Sequence, residues 1–327
     1  MEKYLKKIVD ETYKSAQQDI YSNYGLLGGK MGQILFFYYY SLIDNNYREL
    51  ADIELDKLIN NISQGNIPRI YSFCNGLAGM GIGFHMLEEG GFIEGTDDML
   101  DDMDSLLMYS LTKDIASNEY DFLHGAIGTG FYYLKHYKYK PETSLPAIKR
   151  IIDYLADTAI YDEKTGGYKW IEIAKDYENK NGGHPTLRFN LSLSHGMSSI
   201  TIFLSRAVDM DISEIDNEKV KKLLDGAITF IINQKIDYKI YGSFFPNMAL
   251  ESLDTLTKSM LAWCYGDMGV AMSIWKGGKT LKRKDRMKLA VETLLFATTR
   301  TEQEDTMELH AGFCHGTAGI GLIFHYI

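Results

Sequence analysis

One short pattern limits what this chain can become: a glycine opens an apolar run, and further glycines follow at or near Gly-x-x-Gly-x-Gly spacing in most copies. The copies are GGKMGQILFF from Gly28, NGLAGMGIGF from Asn75, HGAIGTGFYYL from His124, HGMSSITIFL from His195, YGDMGVAMSIW from Tyr265 and HGTAGIGLIF from His315. Aligned on Gly29, Gly76, Gly125, Gly196, Gly266 and Gly316, they are 47, 49, 71, 70 and 50 residues apart. Self-similarity at such a period marks an array of supersecondary units.

Each copy follows an amphipathic stretch. Val220, Leu223, Leu224, Ala227, Ile228 and Ile231 keep the i, i+3, i+4, i+7 rule of one helical face, as do Ile148, Ile151, Ile152 and Leu155. Comparable stretches span 5–22, 53–62, 99–115 and 287–299. The glycine-led runs are apolar nearly all round, which marks buried helices. Two helix classes alternating six times predict an all-α fold, an α/α toroid with an outer ring of helices around an inner one, as one domain over residues 1–327. A helical glycine costs about 1 kcal/mol against alanine, so the repeated glycines need a packing reason, and close approach of inner helices supplies one.

Composition narrows the function. Of 327 residues, 45% are apolar, enough for a large core, and the net charge of -10 argues against a nucleic-acid protein. The N-terminus is charged and amphipathic, with no apolar signal segment, and no stretch approaches the ~18 apolar residues of a membrane span. Three cysteines fit a reducing compartment, which predicts a cytoplasmic protein.

Those cysteines carry the strongest functional signal. In a ring of repeats, equivalent positions converge at one end. Cys74, Cys264 and Cys314 all stand two residues before the aligned glycine, and three of the eight histidines, His124, His195 and His315, stand one before it. Cys264, Cys314 and His315 come from consecutive repeats. Two thiolates and an imidazole suit zinc with a fourth position open, as a catalytic site requires. Cys74 is the rival fourth ligand, which would make the site structural; its other reading, which we favour, is a buried apolar cysteine. His195 suits proton transfer near neutral pH. Asp121 is placed to orient His195 or His124, or to act as a base itself, and Tyr265 to hydrogen-bond a developing enolate or to pack in the core with Trp263. His85, His136, His184, His310 and His325 carry no such signal. Two long connections, 162–192 and 235–258, bring Tyr168, Trp170, Phe244 and Phe245 toward the same end, as a mouth suited to a peptide.

WCYGD at 263–267, the later CHG at 314–316, the earlier SHG at 194–196 and the repeated glycine turns resemble the lanthionine synthetase C-like, or lanthipeptide cyclase, proteins over essentially the whole chain. The resemblance implies an α/α toroid with a central zinc on Cys264, Cys314 and His315, with His195 as acid/base and Asp121 and Tyr265 nearby. The implied reaction is an intramolecular Michael addition of a peptide Cys thiolate to dehydroalanine or dehydrobutyrine, giving (methyl)lanthionine rings. It further implies a dehydrated precursor peptide with leader as substrate, a separate dehydratase and exporter as partners, and a place at the inner face of the membrane in a biosynthetic complex. Two departures stand out. Met260 occupies the position, four before Cys264, where the family carries Arg. The family has seven helix pairs where six are visible, so the chain is expected to be truncated at its C-terminus or to close its ring differently. The residues alone also admit a prenyltransferase-like zinc thiol alkylation, or a zinc-containing peptide-binding toroid without catalysis.

Overall fold

Each of the six aligned glycines stands at the residue immediately before a helix. In the computed structural model, which describes residues 2–17, 23–173, 187–301 and 311–327, the helices are α1 (Glu2–Gln17), α2 (Lys30–Ser41), α3 (Asn46–Ser63), α4 (Leu77–Glu89), α5 (Asp97–Ala116), α6 (Ala126–His136), α7 (Pro141–Thr158), α8 (Met197–Asp209), α9 (Asn217–Ile232), the single turn α10 (Tyr238–Tyr241), α11 (Asp267–Thr280), α12 (Lys284–Ala297) and α13 (Thr317–Tyr326). The glycine-led helices are α2, α4, α6, α8, α11 and α13. Each predicted amphipathic stretch falls in another helix; residues 18–22 of the first lie outside the described residues.

None of the six glycine-led helices has a side-chain cap. The orphan amides of a helix N-terminus still need partners, and the turn's own backbone supplies them. Lys30 N donates to Asn23 O (3.3 Å), Leu77 N to Ile70 O (3.0 Å) and Met197 N to Asn190 O (2.9 Å), each seven residues back. The chain therefore folds over the helix start, and this explains the glycines. A Cβ on Gly76, Gly196 or Gly266 would lie 2.3, 2.3 or 1.9 Å from the carbonyl oxygen six residues earlier. The same holds one turn on, where Gly32, Gly79, Gly269 and Gly319 face the oxygens of Leu26, Phe73, Trp263 and Phe313 at 2.0–2.6 Å. The first two glycines of the pattern thus let the chain fold over its own helix start, and the second also admits the turn of the preceding repeat: a Cβ on Gly79, Gly269 or Gly319 would lie 2.9, 2.8 or 2.8 Å from the Cβ of Leu26, Leu193 or Trp263. The third matches the expected inter-helix contact in α4, where Gly81 meets the Tyr132 ring of α6 at 2.4 Å.

The described residues divide into two compact units, Met1–Lys113 with Leu123–Leu145, and Asp114–Phe122 with Pro146–Ile327. In the first, α2 packs on α3 and α4, and α4 on α6. In the second, α8 packs on α9 and α11, and α11 on α12 and α13. Three of the inner helices, α2, α8 and α11, thus pack on the outer helix that follows each, because short links make antiparallel neighbours. The predicted face of α9 is buried throughout, as are Ile148, Ile151, Ile152 and Leu155 of α7, each Val, Leu or Ile among them contributing about 1.5–3 kcal/mol. Helix α13 departs from the all-round burial expected of an inner helix. Ile323 is buried, but Leu322, Phe324 and Tyr326 are exposed.

The long connections are built rather than open. Strands β1 (Ile160–Asp162) and β2 (Gly167–Lys169) pair antiparallel, as do β3 (Glu172–Ile173) and β4 (Leu187–Arg188). Gly167 lies against α9, where a Cβ would meet Phe230 N at 2.5 Å, and Gly226 of α9 makes room for the Tyr168 ring. The predicted aromatic mouth is corrected here. Trp170, Phe244 and Phe245 are buried; Trp170 Nε1 donates to Leu155 O (2.9 Å), and the amides of Phe244 and Phe245 donate to the buried Asp267 carboxylate. Trp170, Phe244 and Phe245 thus extend the core. The Gly182-Gly183 pair lies outside the described residues.

Candidate metal centre and proton-transfer site

The turns before successive inner helices are joined by backbone rungs at the very positions that the repeat alignment singles out. In the first unit Leu27 N donates to Cys74 O (3.1 Å) and Cys74 N to Leu123 O (3.0 Å). In the second, Leu193 N and Ser194 N donate to Cys264 O (2.9 and 3.3 Å), and Cys264 N donates to Cys314 O (3.3 Å). Strand-like rungs hold neighbouring backbones about 4.8 Å apart, so side chains at equivalent positions fall within reach of one another.

That spacing assembles the thiol–imidazole group. One donor atom each from Cys264, Cys314 and His315 lies within 4.8 Å of the other two, and Cys314 Sγ is 4.0 Å from His315 Nε2. Donors around a tetrahedral ion with bonds of about 2.0–2.3 Å stand roughly 3.5–4 Å apart, so the three residues could hold a metal with little rearrangement. Cys264 is buried, Cys314 half-buried and His315 exposed, leaving one side of the group accessible. Cys74 is not in this group. It is half-buried rather than buried, and its thiol donates to Asn75 Oδ1 (3.3 Å).

His195 enters from the turn before α8. Its Nδ1 lies 2.5 Å from Asp121 Oδ2, so Asp121 orients His195; His124 is exposed. Burial opposes the imidazolium, but the hydrogen bond and charge of Asp121, then the charges of Glu172 and Cys314, prevail and hold the His195 pKa above the usual histidine value. The Tyr265 ring centroid is 5.9 Å from that of His195. Burial raises the Tyr265 pKa against hydrogen bonds from Asn190 and Ser192, so its phenol keeps its proton at neutral pH. Trp263 is core, its ring 4.9 Å from Phe313 and 6.0 Å from Phe122.

Two residues of the site carry no signal in the sequence. Glu172 on β3 accepts from Asn190 Nδ2 (3.1 Å), which also reaches Tyr265 Oη (3.4 Å). Burial raises the Glu172 pKa against the Asn190 hydrogen bond and the His195 charge. A pit of about 10 Å³, about one water in size, opens between Glu119, Asp121, Glu172 and His195. Asn190 belongs to no repeat motif, and Glu172 sits in a connection without periodicity. A third such residue is Arg300, buried beneath the WCYGD turn, where it donates to Ser259 O (2.6 Å) and Asp267 Oδ2 (3.3 Å). Met260, by contrast, lines a cavity with Tyr265.

Among curated proteins none matches this chain in sequence. The solved structure of a nisin cyclase is similar, with a TM-score of 0.75 at 19% identity over 99% of this chain and 81% of that one. Likeness at that identity shows the fold alone, and the fold class is the one that the alternating helices predict. No described helix is long and apolar enough to cross a membrane. The model of the family described as lanthionine synthetase C-like protein matches residues 20–327, nearly the whole chain, and the protein belongs to that family.

Proposed function

We infer that the protein is a zinc-dependent lanthipeptide cyclase, which adds the Cys thiol of a dehydrated precursor peptide across dehydroalanine or dehydrobutyrine. The carrying observation is that Cys264, Cys314 and His315 gather their donor atoms within 4.8 Å in the same unit that pairs His195 with Asp121. Soft sulfur and nitrogen donors favour zinc over calcium or magnesium. Zinc, when bound, would supply the charge that lets an incoming thiol lose its proton near neutral pH.

The chain's own residues account for the rest. With Nδ1 engaged by Asp121, Nε2 of His195 exchanges the proton: it takes the thiol hydrogen and returns it to the α-carbon of the former dehydro residue. One C–S bond forms, the C=C π bond is lost, and no atom leaves. The raised His195 pKa suits the second half of that cycle, in which the imidazolium is the donor. The Tyr265 hydroxyl, accepting from Asn190, directs its own hydrogen at the developing enolate oxygen. A separate dehydratase would supply the dehydro residues.

Metal analysis of the purified chain, with a thiol assay on a dehydrated peptide that contains one Cys, tests this reading. About one zinc per chain and loss of the free thiol are expected, and Cys264→Ala should abolish both. Bound zinc with the thiol persisting would leave a peptide-binding protein instead.

A further inference from the structure

A cavity that shares Tyr265 with the site is otherwise unused by the chemistry above. Its volume is about 360 Å³, and Pro246, Asn247, Met248, Leu253, Thr257, Met260 and Tyr265 line it. The 246–248 segment is held in place by the segment that leads into the His195 turn. Leu191 N donates to Asn247 O (3.2 Å), Ala249 N to Phe189 O (2.8 Å), and Asn190 and Met248 form an antiparallel bridge. Asn190 is the residue whose amide reaches both Glu172 and Tyr265. One wall of the cavity is therefore Tyr265, the chain neighbour of the ligand candidate Cys264.

The lining contains no charged side chain and mostly carbon. At ~30 Å³ each, on the order of ten waters would occupy the space, with few wall groups to bond them, so an apolar group gains by displacing them. A charged side chain would lose its hydration without compensation. Successive residues of an extended peptide are about 3.3–3.6 Å apart. Tyr265 directly follows Cys264 in the chain, so a peptide whose cysteine sulfur reaches Cys264, Cys314 and His315 carries its neighbouring side chains toward the Tyr265 wall. We propose that this cavity is a subsite that receives a large apolar side chain adjacent to the reacting cysteine of the peptide, with Met260 and Leu253 setting its size.

This rests on the cyclase reading, and the experiment separates the two. Fluorescein-labelled peptides carry Cys followed by Phe, Ala or Asp, with Ser in place of dehydroalanine, so that binding to the zinc-loaded full chain is read by anisotropy without turnover. The Phe peptide should bind about ten-fold more tightly than the Ala peptide, and the Asp peptide most weakly. Met260→Trp and Leu253→Trp, which fill the cavity, should bring the Phe-to-Ala ratio near one; Leu253→Ala, which enlarges it, should favour a Trp peptide. Circular dichroism checks that each variant folds. Equal or undetectable binding of the three peptides by the wild type, or a preference that survives in folded Leu253→Trp and Leu253→Ala alike, overturns the subsite. Matched dehydroalanine peptides report turnover in parallel. A Phe preference without turnover sinks the cyclase reading alone, and turnover without preference sinks the subsite alone.

Discussion

His195 and Asp121 stand 74 positions apart in the chain, yet His195 Nδ1 and Asp121 Oδ2 meet at 2.5 Å. The pair fixes the ring's tautomer and orientation, with Glu172 as a second carboxylate whose charge also acts on the imidazole.

Asp121→Asn keeps the shape and removes the charge. Because the Asp121 hydrogen bond and charge are what overcome burial at His195, the variant's imidazole should titrate at lower pH than the wild type's. The fraction of imidazolium at neutral pH then falls, and turnover of a dehydrated peptide should drop about 10²-fold. Histidine NMR titration of the zinc-loaded protein, alongside kcat, checks both effects; an unmoved His195 pKa would refute the pairing.

The glycines make opposite predictions at two positions. Gly266 has φ of +74°, and a Cβ there would sit 1.9 Å from Met260 O. Gly266→Ala should cost upwards of about 2 kcal/mol from the left-handed conformation and the clash together. Gly321, inside α13, has nothing within 4 Å of an added Cβ. Gly321→Ala should stabilise by about 0.5–1 kcal/mol through helix propensity and a less entropic unfolded chain. Urea unfolding of the two variants measures the contrast, and a destabilising Gly321→Ala would mean that α13 has a tight contact on that side.

The first unit holds a buried polar chain. His85 Nε2 lies 2.9 Å from His136 Nδ1, His136 Nε2 lies 3.1 Å from Asp104 Oδ2, and Tyr132 Oη donates to Asp104 Oδ1 (2.7 Å). His85 is fully buried, and its Nδ1 has no hydrogen-bond partner. Burial, then the charges of His136 and Lys135, lower its pKa from 6.5 to about 4. A depressed histidine binds its proton better in the unfolded chain. Stability is therefore fully present above about pH 6.5 and is lost as pH falls through that window to about 4, by on the order of 3 kcal/mol. His85→Gln should be less stable than the wild type at pH 7 but lose less between pH 6.5 and 4. Denaturation midpoints across that range decide it, and parallel slopes would rule His85 out as the acid-sensitive group.

The periodic features of this protein were legible in its sequence. A glycine needed at every helix start leaves a repeat that alignment finds, and cysteines placed on one rung of that repeat announce that Cys264, Cys314 and His315 meet, because backbone hydrogen bonds between equivalent turns impose one spacing. Tertiary structure alone decided what has no period. Glu172 and Asn190 join the site from the long connections, Trp170 turns inward where its indole hydrogen finds the Leu155 carbonyl, and Phe244 and Phe245 are buried with it. His85 and His136, unremarkable as letters, become a buried pair only when α4 packs on α6. Contacts between residues tens of positions apart depend on how helices dock, and no local pattern of side chains encodes that.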